Sequence, residues 1–109
     1  MKQLEVEFHK AMVSIYLRMK EECGYNATRF LQMINDIGGV EAARTLLRKG
    51  RPSEGFAALW ECGRLDLTVE AHLLQPKFQT LFTAEERKRA REILEAHGFD
   101  FELIESQSI

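Results

Sequence analysis

From Phe30 to Leu47 the chain reads FLQMINDIGGVEAARTLL, and this stretch decides the fold. Together with Ala27, apolar side chains at Phe30, Leu31, Ile34 and Ile37 follow the three-and-four spacing of one helix face. Asn26 stands just ahead of the run, where its side chain is expected to accept an orphan backbone N–H as an N-cap. Gly38 and Gly39 then interrupt the pattern, since glycine reaches positive φ without steric cost and ends helices cheaply. A second apolar face follows at Val40, Ala43, Leu46 and Leu47 and stops at Gly50. Two helices joined by so short a turn lie against each other or at a sharp angle, which makes the stretch a helical hairpin.

The surrounding chain agrees. Its 109 residues are enough for one domain that buries roughly two-thirds of its unfolded surface. With 45% hydrophobic and 29% charged residues and only two prolines, the composition opposes disorder away from the ends. Good helix formers dominate, and no window alternates as a strand would. The expected fold is therefore all-α, a compact bundle of five or six helices over residues 1–99. Residues 100–109 form a tail, either docked by Phe101, Leu103 and Ile104 or frayed. A net charge of -2 excludes attraction to nucleic acid or membrane by total charge, while leaving room for a local basic patch. No apolar run reaches the length of a membrane span, and nothing ahead of the cysteines resembles a signal peptide, so a cytoplasmic location is expected.

In chain order, the first helix runs from about Leu4 to Cys23. Leu4, Phe8, Ala11, Met12, Ile15, Tyr16, Met19 and Cys23 make its main stripe. Val6, Val13 and Leu17 form a second, narrower face, the candidate surface for a protein partner or a second copy of the chain. Gly24 ends this helix. After the loop around Pro52, Ser53 is placed to cap a helix whose apolar face is Phe56, Leu59 and Trp60, ended by Gly63. Asp66 is taken as the next N-cap, with Leu67, Ala71 and Leu74 on one face until Pro76 forbids continuation. Phe78, Leu81 and Phe82 are expected to insert one more helical turn into the core. Thr83 and Glu86 have the spacing of a capping box for the last helix. There Ala90, Ile93 and Leu94 face inward, Arg87, Lys88, Arg89 and Arg91 mostly outward. Past Gly98, Phe99 is expected to fold back on Leu94.

Reactive chemistry is sparse. His9, His72, His97, Cys23 and Cys62 show no Cys-x-x-Cys, His-x-x-x-His or His-Glu-x-x-His spacing, so no metal, cofactor or catalytic residue is expected. Two cysteines are too few for a disulfide framework. Gly38 and Gly39 lack the strand and lysine-serine element of a phosphate loop. Arg64 with Asp66 or Glu61 is positioned for an ion pair tying a helix end to the connector after it.

Leu31, Ile34, Ile37, Gly38, Ala42 and Leu46 fall where a helix-hairpin-helix motif has its apolar, glycine and small positions, and residues 31–46 resemble that family. The resemblance implies hairpin N–H groups that touch a DNA phosphate without reading bases. Gly38, Gly39, Arg44, Arg48, Lys49 and Arg51 would then form the contact, although Asp36 occupies the family's first turn-glycine position. A second resemblance rests on Phe30-Leu31-Gln32-Met33, Gly55-Phe56, Trp60-Glu61, Gly63 to Glu70, and Leu81-Phe82-Thr83. Over residues 24–99 these are similar to a small bacterial all-helical family of unassigned function. It implies an all-α fold and a bacterial or phage-like setting, with no catalytic residues. The expected function is a non-catalytic interaction module that binds a protein partner or itself. A DNA-associated module is the alternative, and an enzyme is not expected.

Overall fold

Caps and glycines set the helix boundaries in the computed structural model, which describes residues 3–49 and 52–101. Six α-helices are present among these residues: α1 Gln3–Cys23, α2 Thr28–Ile37, α3 Gly39–Arg48, α4 Glu54–Glu61, α5 Val69–Leu73 and α6 Ala84–Ala96. Two 3-10 turns, Leu65–Leu67 and Pro76–Leu81, flank α5, and there is no strand among the described residues. The fold is all-α, as the composition and periodicity predict. No helix among the described residues is long and apolar enough to cross a membrane.

Several starts and stops follow the sequence closely. Ser53 Oγ accepts the Phe56 N–H at 3.1 Å, and Thr83 with Glu86 forms a reciprocal capping box. Past α6, Phe99 N–H donates to Leu94 O and Gly98 N–H to Glu95 O, the paired bonds of a Schellman ending. Phe99 thereby joins Phe56, Ala71 and Leu94 in one buried cluster.

Two caps differ from expectation. Asn26 does not cap α2. Its Oδ1 instead accepts the Tyr16 hydroxyl at 2.9 Å, and Ala27 holds the cap position with no side-chain bond. Asp66 does not cap α5, because Arg64 grips its carboxylate through Nε and Nη2, both at 3.1 Å. Thr68 takes the role, its Oγ1 accepting Ala71 N–H at 3.1 Å. In both cases a partner distant from the helix start, or a stronger charge-assisted one, wins the side chain.

The core is built around α1, which packs against α2, α3, α4, α5 and both 3-10 turns. Phe8 is fully buried, with Phe78 and Phe82 edge-on to its ring at 5.0 and 5.1 Å. On α4 the face narrows. Phe56 is 2% exposed, whereas Trp60 is 51% exposed and is not a core residue. Ile37, at the end of the predicted α2 stripe, is likewise 47% exposed.

Two features lock α1 to its neighbours. A Cβ at Gly39 would lie 2.7 Å from the His9 Cα, so α3 begins in direct backbone contact with α1. The Gly39 N–H donates to His9 Nδ1 at 3.0 Å in the same place. At the other end of α1, Cys23 and Cys62 form a single disulfide, a tie between two helix ends rather than a framework. Arg64 bridges Glu22 and Asp66 beside it, so the Arg64–Asp66 pair is structural and Glu61 has no share in it.

Replacing Gly39 by alanine is expected to cost about 1–3 kcal/mol, since the obstructing atom is backbone and cannot turn aside. Urea unfolding monitored by circular dichroism measures it, and an unchanged midpoint would refute the close packing. Reducing the disulfide, which spans 39 residues, is expected to lower stability by about 4 kcal/mol on the chain-entropy account. Unfolding with and without a reductant reads this directly.

Candidate ligand cleft

A cleft of about 900 Å³ opens between the α2–α3 hairpin and α4. Its apolar surface comes from α1 (Ile15, Met19), α2 (Phe30, Met33), α3 (Leu46) and α4 (Phe56). Phe30, Met33 and Leu46 are only half-buried, packed against the core on one side and open to the cleft on the other. This size and lining suit ligand recognition, where apolar contacts supply affinity and a few polar groups fix orientation.

One polar group stands out. Glu70, at the start of α5, lines the cleft and is 4% exposed. It is carried inward because α5 is short and sunk: Val69, Glu70, Ala71 and Leu73 are all buried. Thr68 sets the entry of that helix by capping Ala71 N–H and donating its own hydroxyl to Leu65 O at 2.7 Å. The Glu70 carboxyl has no partner in any other side chain among the described residues. Its own backbone N–H and the charge of His97 are the groups that favour its ionised form. Burial dominates and pushes its pKa up to about 7, against the weaker lowering by the backbone bond and by His97.

The surroundings of Glu70 are otherwise settled. His97 Nδ1 donates to Ile93 O at 2.8 Å, and its ring stands edge-on to Phe56 and Trp60 at 4.8 and 4.9 Å. His72 Nδ1 donates to Thr68 O at 2.9 Å, and burial lowers its pKa, so it is a neutral structural histidine. The cysteines are joined and offer no thiol. No group of three or more His, Cys, Asp or Glu among the described residues is arranged to hold a metal ion. What remains is an apolar cleft with one buried acidic residue, Glu70, in its lining.

The residues singled out from the sequence are scattered. Val6 and Val13 are half-buried, Val13 against the main core, and of that face only Leu17 stands in solvent, 55% exposed. Gly39 spends its N–H on His9, and Gly38, at φ +87°, closes α2 by donating to Ile34 O at 2.9 Å. Arg44 is held three ways, by Glu41 at 2.6 Å, Glu86 at 3.1 Å and Leu81 O at 2.7 Å, which raises its pKa further. Arg48 and Lys49 are exposed, Lys49 at the edge of the cleft, and Arg51 lies outside the described residues. Gly39 and Arg44 are thus engaged with α1, Glu86 and Leu81, while Arg48 and Lys49 stand exposed beside them.

A smaller hollow lies beside α6, where Arg87 and Lys88 meet Leu74 and Pro76. Arg87 Nε is buried there without a partner among the described residues, and the neighbouring Arg91 lies over the Phe101 ring at 4.5 Å.

Glu70 carries no mark in the sequence. An acid in the first turn after a Thr cap is ordinary, because the helix dipole favours it on any exposed helix. Only the sinking of α5 distinguishes it. No protein-family description, curated protein or solved structure matches this chain.

The Glu70 shift predicts a pH dependence. Between the ordinary carboxyl value of 4.5 and about 7, the folded chain keeps a proton that the unfolded chain has released. Stability from Glu70 is thus complete below that window and is lost as the pH rises through it. Glu70→Gln is expected to remove this loss, giving a melting temperature that falls less than that of the unmodified protein between about pH 5 and pH 8. Parallel melting curves of equal slope in pH would overturn the assignment.

Proposed function

We propose that the protein is a non-catalytic interaction module that seats an apolar segment of a protein partner in the cleft beside α2. The observation that carries this reading is the cleft itself: about 900 Å³, open to solvent, and lined by Phe30, Met33, Leu46 and Phe56. Aromatic and methionine side chains give large contact area with adaptable shape, which is why they recur at protein-recognition surfaces. The cleft lining is drawn from α1, α2, α3, α4 and α5, which offers a partner segment apolar contacts from several helices.

A minimal apolar probe tests this. Titration of the protein with acetyl-leucyl-norleucyl-leucine amide should shift NMR signals of Phe30, Met33, Leu46 and Phe56, with dissociation constants on the order of millimolar for so short a ligand. Met33→Glu places a charge in the cleft and is expected to weaken binding by roughly tenfold or more while leaving the circular dichroism spectrum unchanged. Shifts spread evenly over the surface, or none at all, would refute the cleft as the binding site.

A further inference from the structure

We infer that the cleft recognises a lysine of the partner segment, its ammonium group seated against the Glu70 carboxyl and its methylenes against Met19, Phe30 and Phe56. This deepens the proposed function and rests on it. Glu70 is 4% exposed, is part of the lining of an apolar cleft and has no side-chain partner among the described residues. Its carboxyl is thus largely shielded from water, with only its own backbone N–H and the charge of His97 acting on it. Such a group is costly to keep, and the cost is offset only by a complementary charge or a donor brought to it.

Lysine suits the site in shape as well as charge. Its four-carbon stem is apolar and its head is a compact cation with three donors, so one side chain can satisfy both the cleft and the carboxyl. No described side chain of this protein does so. The charged and titratable groups around Glu70 are few. His97 faces it from the end of α6 and is turned toward Ile93 O. Tyr25, Arg29, Lys49 and Glu54 belong to the rim, where Arg29, Lys49 and Glu54 are exposed and their fields are damped by solvent. On the preceding turn, Asp66 is occupied by Arg64. From α1 only apolar side chains, Ile15 and Met19, reach the cleft.

Binding would also move a proton. Below about pH 7 the free carboxyl holds one, because burial disfavours its charge. Arrival of an ammonium reverses that preference, and the carboxyl releases its proton to solvent as the ion pair forms. Lysine binding should therefore strengthen as the pH rises through about 7, whereas binding of an uncharged isostere should not.

The decisive experiment compares acetyl-leucyl-lysyl-leucine amide with its norleucine counterpart by NMR titration and calorimetry. The two differ only in the terminal ammonium. The lysine peptide is expected to bind roughly tenfold tighter, the gain of a charge-assisted pair in a desolvated site. Glu70→Gln should erase that preference, so that the two peptides bind the variant equally. Equal affinities in the unmodified protein would overturn the lysine assignment and leave the cleft reading standing. Failure of both peptides to perturb the cleft would overturn both. If light scattering shows a dimer that fills the cleft with a second copy and excludes both peptides, the partner assignment falls with them. Because the peptide pair is tested on the unmodified chain, the result does not depend on how the variant folds.

Discussion

The rest of the structure depends on the contact between Gly39 and His9. Helix α3 starts where any side chain would strike the α1 backbone, and its first N–H is consumed by a histidine of α1. That contact anchors the hairpin to α1 at its corner, and both α2 and α3 pack along that helix. Phe30, Met33 and Leu46 remain half-buried on the side of the hairpin that lines the cleft.

A second clamp acts at the opposite end of α1. The Cys23–Cys62 disulfide and the Glu22–Arg64–Asp66 cluster hold the end of α4 and the turn after it against that helix. These two ties are unequal. Ion pairs on a solvated surface contribute little, because charges there are screened and long side chains must be ordered. The disulfide removes freedom from the unfolded chain over 39 residues and is the larger effect. Between the clamps, the edge-on contacts of Phe8 with Phe78 and Phe82 fill the interior. The two sides of the cleft are thus held by separate devices that both act through α1.

Glu70 is where the fold departs from economy. Leucine or glutamine at this position would leave no buried ionisable group. A carboxyl raised by burial in the lining of a cleft is what makes Glu70 a candidate functional residue. The same geometry makes the site responsive: whatever satisfies Glu70 gains more there than at an exposed carboxylate, because the surroundings are apolar.

Periodicity and caps are local properties, and the chain alone determined what depends on them. The hairpin, the Ser53 and Thr83 caps, the return of Phe99 onto Leu94 and the all-α class follow from spacing within a few turns of helix. Which of several competent side chains is used was decided by tertiary structure. Asn26 could cap, but Tyr16, ten positions earlier, reached it first. Phe56 and Trp60 share one helix face, yet only Phe56 has an element over it, while Trp60 meets His97 at the surface. Two cysteines with no local pattern became neighbours because α1 and α4 end side by side. The candidate site lay furthest from view. Its apolar half was legible as helix faces, but its carboxyl was not, since an acid after a threonine cap looks alike on a buried helix and an exposed one. Burial is a property of what packs around a residue, and no spacing along the chain encodes it.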